Sequence, residues 1–256
     1  ILILAFAQPI YNAKPNFVNN NPLLLVIDNG WSSSINWEKR KENLIEYVDR
    51  AEQQKIPIII LPTAPKNNIL KDKLLLLNAS DAKSYIELLT PNPWPSDYKL
   101  LTEKLEELST DKNYNIVWLW DGIDHENDDS SQIFSKKLES IGRLSVIDFL
   151  NSSPIKIIKK VTNSDNNNLF IEIQRNFASL EETIFIRANG NKGKLLNRKQ
   201  LTFKENERII TSELIIPNDL RNELISVSIE NVNNAGAVYL SDEKWRKRNV
   251  GVYGDK

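Results

Sequence analysis

The sequence predicts an α/β chain, with a mostly parallel sheet flanked by helices and then a small antiparallel β-sandwich-like domain. Three observations predict it. Leu23–Ile27 and Ile116–Trp120 are continuous apolar runs of strand length, as expected for strands buried on both faces. Strand-like and helical patterns alternate as far as Leu150, which favours a parallel sheet between helical layers. Beyond Pro154 the segments become short, partly alternating and separated by turns, the pattern of an antiparallel β domain.

The elements follow in order. Asn12 to Asn21 is polar and asparagine-rich between Pro15 and Pro22, and reads as a linker. After the first strand at Leu23–Ile27, Ser32, Ser33 and Ser34 can cap a helix. Residues 37–54 show helical spacing, with Trp37, Leu44, Ile45, Val48 and Ala51 on one stripe. Ile56–Leu61 is a second buried strand, closed by Pro62-Thr63-Ala64-Pro65. A short extended piece at Leu74–Leu77 precedes a short helix starting near Ser80. Thr90 to Pro95 (TPNPWP) is a rigid loop, because its prolines fix φ.

Ser96 or Asp97 then caps a helix running to about Leu108. Ile116–Trp120 is the third strand, and Asp124 to Ser131 an acidic, polar loop. Gln132–Ile141 is helical and ends at Gly142, and Leu144–Leu150 is a fourth strand. Short strands are expected at 155–157, 169–173, 183–187, 201–203, 209–216 and 224–229. Asn189-Gly190 and Lys192-Gly193 supply turns between them.

Composition sets limits on function. Of 256 residues, 41% are hydrophobic and 26% charged, ordinary values for a folded chain. A net charge of −1 provides no field for nucleic acid. The basic run Lys244–Arg248 reads as a solvated linker. The absence of cysteine excludes disulfides, thiolate metal sites and cysteine nucleophiles. His125 is the sole histidine, and no Gly-x-Ser-x-Gly elbow precedes a helix, which disfavours a serine hydrolase.

Methionine is absent even at position 1, so the chain reads as an internal fragment of a longer protein. Ile1–Ala7 is apolar and stops at Gln8-Pro9. It is far shorter than the roughly 20 residues that span a bilayer. It reads either as a buried strand or as the last turns of a transmembrane helix.

Asp28 and Asp121 both fall on turns directly after buried strands. Neighbouring parallel strands would bring them to the carboxyl-end crevice, where open α/β sheets hold their ligands. Asp28, Ser32 and Asp121 offer oxygen ligands only, the donor set of a hard cation such as Mg²⁺. Two structural readings stand beside this one. Asp28-Asn29-Gly30 makes a good turn with no ligand, and Ser32 serves equally as a helix cap. Asp124, Glu126, Asp128 and Asp129 lack the spaced Gly and Glu of a calcium loop and read as a solvated acidic loop. Trp118 and Trp120 read as core residues. Trp94, between Pro93 and Pro95, clamps the loop over the sheet edge or offers an aromatic contact to a partner.

These motifs resemble the von Willebrand factor A-type domain. Such domains carry Asp-x-Ser-x-Ser after the first strand, a threonine in a middle loop, and Asp-Gly after a later strand. Together these form a metal-ion-dependent adhesion site. Here the first motif reads Asp28-Asn29-Gly30-Trp31-Ser32, with Gly30 at the middle serine. The late motif, Trp120-Asp121-Gly122-Ile123-Asp124, matches. For the threonine, Thr63 follows the second strand, earlier than the motif calls for, and Thr90 opens the proline loop at the expected place.

A narrower resemblance rests on Ala7-Gln8-Pro9, Leu24 to Trp31, Leu61 to Pro65, Pro93-Trp94-Pro95, and Ala235 to Val238 with Asp242 to Arg246. These are similar to bacterial membrane proteins of the aerotolerance-regulator (BatA) type. Those carry two N-terminal transmembrane helices, an A-like domain, and a C-terminal domain of unknown function with a class I glutamine-amidotransferase-like fold. The resemblance implies the end of a transmembrane helix at 1–8, a linker at 9–21 and an A-like domain at 22–153. An antiparallel β domain at 154–241 and a linker at 242–256 into a missing C-terminal domain follow.

The resemblance also implies the bacterial inner membrane, with the folded domains in the periplasm. It implies a degenerate adhesion site at Asp28, Ser32 and Asp121, holding no cofactor or Mg²⁺ weakly. Trp31, Trp94 and Asp124 would contact a protein partner at the carboxyl-end face. The expected function is a membrane-anchored protein-interaction module without catalysis of its own. The alternative is a metal-dependent hydrolase or other enzyme using Asp28 and Asp121.

Overall fold

Strand β1 (Leu23–Ile27) is buried along its whole length, and its side chains divide between two cores. Leu23, Leu25 and Ile27 enter one, and Leu24 and Val26 the other. A continuous apolar run therefore becomes a central strand covered on both faces. The structure is a computed structural model that describes residues 17, 20–64, 73–108, 113–123, 129–148, 155–163, 168–176, 180–217 and 219–241. The expected transmembrane end at 1–8 and the linker at 242–256 lie outside the described residues. No helix among the described residues is long and apolar enough to cross a membrane.

β1 pairs in parallel with β2 (Ile58–Pro62) on one side and β3 (Tyr114–Trp120) on the other. β4 (Gly142–Asp148) completes the sheet beside β3, giving the order β2-β1-β3-β4. Helices α1 (Trp37–Gln53) and α2 (Ala79–Leu88) pack on one face. α3 (Tyr98–Lys104) and α4 (Ser130–Ile141) pack on the other. The chain thus has the parallel α/β layering expected from its alternating patterns.

The helix starts differ in detail from the sequence reading. Ser32–Ser34 does not cap α1; it belongs to a single 3₁₀ turn, Trp31–Ser34. α1 instead begins after Asn36, held at φ 61, a left-handed conformation that asparagine tolerates. Asp97 caps α3, its Oδ1 accepting from the Leu100 amide at 2.9 Å. That leaves the Ser96 hydroxyl for another use.

The second unit contains β5 (Lys156–Asn163), β6 (Leu169–Arg175), β7 (Glu182–Asn189) and β8 (Leu195–Phe203). β9 (Ile209–Leu214), β10 (Ser226–Ile229) and β11 (Val238–Leu240) complete it. They form two antiparallel sheets, β5-β6-β9 and β11-β10-β7-β8. Ile171, Ile173, Ile186, Phe203, Leu214 and Val227 from both sheets share one core, a sandwich-like arrangement. β8 runs well beyond the expected 201–203, because the polar stretch Asn197–Gln200 still pairs with β7. Arg175, nearly buried, closes one end by donating to the carbonyls of Leu180, Lys204 and Glu207 while stacking over Phe203.

Candidate functional site

The chain leaves β1 towards β2 on one side and later reaches β3 on the other. The strand order therefore reverses between β1 and β3, the point where open α/β sheets form a crevice. Asp28 follows β1 and Asp121 follows β3, and they are 0% and 1% exposed. The structure brings Asp28, Ser32 and Asp121 together, as their spacing suggested. It also buries them completely.

Both carboxylate oxygens of Asp28 are occupied. Oδ1 accepts from Thr63 Oγ1 at 2.8 Å and from Trp118 Nε1 at 3.1 Å. Oδ2 accepts from Tyr98 Oη at 3.1 Å and from the Asp121 amide at 2.9 Å. Asp121 is held in turn. Its Oδ2 accepts from the Ser32 hydroxyl and, at 3.4 Å, from Ser33 Oγ. Its Oδ1 accepts from the Ile123 amide at 2.9 Å across Gly122, whose φ of 80 suits glycine.

Of the two candidate threonines, Thr63 enters the site and Thr90 is exposed outside it. The register explains the choice. Ile27 pairs with Pro62, so the next residue on each strand, Asp28 and Thr63, stand side by side. Thr63 Oγ1 also lies 2.7 Å from Ser96 Oγ, the hydroxyl left free by the Asp97 cap.

Arg40, on the first turn of α1, is 1% exposed. Its Nη1 donates to the Leu119 carbonyl at 3.2 Å, the same carbonyl that accepts the Asp28 amide. Burial pulls the guanidinium down from its usual range, and Asp121, Asp28 and Tyr98 push it back up. A guanidinium keeps its proton, so Arg40 brings positive charge to this core. Burial first, and then Asp121, push Asp28 up to about 6; the Trp118, Asp121-amide and Thr63 hydrogen bonds oppose this. Burial and the two carboxylates raise Tyr98 well above its ordinary range, which keeps its hydroxyl a donor.

Gly30 stands where the adhesion motif has its middle serine. Its φ of −71 is ordinary, so conformation does not require glycine here. Space does. A Cβ at Gly30 would lie 3.0 Å from the Trp94 carbonyl oxygen and 3.2 Å from the Ser96 amide nitrogen. The proline loop is bound down around it. Trp31 N donates to Trp94 O at 3.2 Å, and Asn92 N donates to Asn29 O at 2.7 Å. Asn29 Oδ1 accepts from the Ala64 amide at 2.8 Å, and Asn92 Nδ2 donates to the Ala64 carbonyl. Trp94 clamps this loop through its main-chain carbonyl, while the residue itself is 36% exposed.

Of the remaining candidates, Trp31 rests its ring on Gly236 of the β unit. Asp124 and His125 lie outside the described residues. Sequence reasoning missed Arg40, Ser33, Ser96 and Tyr98 as site residues, and assigned Trp118 only to the core. The available signals were weak: one arginine in a helical stripe, and donors carried on residues that also pack.

No family model matches the chain, and no curated protein sequence matches it. Among solved structures it is similar to proximal thread matrix protein 1 from the mussel byssus, at 13% identity and a TM-score of 0.39. The match spans 50% of this chain and 37% of that one. At that overlap the likeness assigns neither a family nor a function.

Proposed function

We propose that the chain is a membrane-anchored protein-interaction module, built on a von Willebrand A-like domain whose adhesion site has become a closed polar core. The observation that carries this reading is the saturation of Asp28 by Thr63, Trp118, Tyr98 and the Asp121 amide beneath a loop sealed over Gly30. Groups arranged in this way hold a structure together and are not presented to a substrate. The membrane anchor and the periplasmic setting rest on the sequence resemblance.

The A-type resemblance implies Mg²⁺, which takes about six oxygens in near-octahedral array. The residues present do not fit that ion. Each Asp28 oxygen already accepts from two protein donors. Gly30 supplies no hydroxyl, and the backbone of Trp94 to Ser96 fills the space beside it. Arg40 carries a positive charge in the field of both carboxylates.

One observation favours an enzyme instead: Asp28, raised to about 6 beside a second carboxylate, has the tuning of a general acid or base. Geometry weighs against it. Full burial of Asp28 and the four hydrogen bonds it accepts support a structural role over a catalytic one. Crosslinking of the full-length protein in its native membrane tests the interaction reading. Recovery of one specific protein supports it. Recovery of none, together with an activity abolished by Asp28→Ala plus Asp121→Ala in folded protein, would turn the assignment to the enzyme.

A further inference from the structure

The carboxyl-end face of the α/β domain is covered, and the cover belongs to the same chain. Trp31 and Ile35, from the loop after β1, pack against Ile123, from the loop after β3, and against Ile155 and Ile157 of the β unit. The Trp31 ring lies so close to Gly236 that a Cβ there would fall 1.9 Å from its Cη2 atom. The glycine sits in a one-turn 3₁₀ segment, Ala235–Ala237. Asn234 fixes that segment: its Oδ1 accepts from the Ala237 amide at 2.8 Å and its Nδ2 donates to Lys156 O at 3.3 Å. The socket for Trp31 is thus held rigidly on β5.

A polar contact accompanies the apolar one. Asn176, 1% exposed, donates from Nδ2 to the Asp121 main-chain carbonyl at 3.2 Å. Its Oδ1 accepts from the Ile155 amide at 2.8 Å, and its own amide donates to Ile155 O. The β unit therefore reaches the aspartate turn that closes the crevice from below. Both loops of the adhesion motif make this contact.

We propose that the β domain is the resident ligand of this face: Trp31 seated on Gly236 and Asn176 bound to the Asp121 turn lock the two domains into one body. An outside protein partner therefore engages another surface. The proposal stands on these contacts alone and survives if the membrane or interaction reading fails.

The chain contains no cysteine, so two introduced thiols can be labelled without background. Spin labels at Lys39→Cys on α1 and Gln200→Cys on β8, both exposed positions, report the distance between domains. One narrow distance distribution is expected with the native contact. Gly236→Val drives a side chain into the indole and Trp31→Ala removes the indole. Each is expected to broaden the distribution at least twofold while far-UV circular dichroism stays unchanged. Two variants acting from opposite sides of the contact keep the test valid if one fails to fold. A broad distribution in the native background, or a narrow one retained by either folded variant, overturns the lock.

Discussion

Replacing Asp28 by asparagine separates a structural carboxylate from one kept for a ligand. The change preserves shape and removes charge, but it converts one acceptor into an NH₂ group. If that group faces Oδ1's partners, it meets the Trp118 indole N–H; if it faces Oδ2's, it meets the Asp121 amide. Neither N–H can rotate away, so one buried donor is left unpaired in either orientation, at about 1–3 kcal/mol. The remaining bonds lose a charged acceptor, worth about 1.5–3 kcal/mol each against roughly 1 for neutral bonds. Relief of burial and of repulsion from Asp121 outweighs that loss, because together they hold Asp28 up at about 6 despite its hydrogen bonds, so the cost of the unpaired donor shows in full only below that pH. A net destabilisation of about 1–3 kcal/mol is expected for Asp28→Asn at pH 4, a fall in Tm of roughly 2–12 °C for a chain of this size. Thermal and urea unfolding followed by circular dichroism measure it. An Asp28→Asn variant as stable as the native chain at pH 4, or more stable, would refute the reasoning, because carboxylates retained for function commonly raise stability when removed.

Three further outcomes are expected. Gly30→Ser, which places a serine where an A-type adhesion motif would carry one, should cost about 1–3 kcal/mol by overpacking against the 94–96 backbone and should confer no stabilisation by Mg²⁺; a Mg²⁺-dependent rise in its Tm would show that the pocket can open. Arg40→Met should cost about 3–5 kcal/mol at pH 7, because two buried carboxylates lose their nearby cation, and less at pH 5, where Asp28 is protonated; a pH-independent loss would mean that Arg40 acts by packing alone. Asp28 binds its proton more tightly in the fold, at about 6, than an ordinary aspartate does at 3.8, so its contribution to stability is full below about pH 3.8 and declines as pH rises through about 6. That decline, on the order of 3 kcal/mol, should appear as the difference between native and Asp28→Asn unfolding curves, and a difference that grows in the opposite direction would contradict it.

The layering and the position of the crevice were legible because continuous apolar runs ending in Asp leave few arrangements. Leu23–Ile27 and Ile116–Trp120 read as strands buried on both faces, and their aspartates meet because the two strands pair as neighbours. The closure was not legible. Thr63 looks too early when read along the chain, yet it becomes adjacent to Asp28 once β2 lies beside β1. Trp118 reads as a core residue and Tyr98 drew no reading of its own, and periodicity says nothing about where a hydroxyl or an indole N–H points. Arg40 sits on the buried stripe of α1, where its charge argues for the outer face until two buried carboxylates give it a reason to be inside. β11 escaped notice because three residues, two of them exposed, carry no pattern. The Trp31–Gly236 contact joins residues on opposite units and leaves no local signal at all.

A closed structural core and a cation site at the aspartate crevice respond differently to divalent ions. Calorimetric titration of the native chain with Mg²⁺ and Mn²⁺, paired with thermal unfolding in the same ions, separates them. For a closed core, no binding heat and no ion-specific change in Tm are expected. Binding of one ion per chain, lost in Asp121→Asn and accompanied by stabilisation of about 2.7 kcal/mol at a hundredfold excess over Kd, would contradict it.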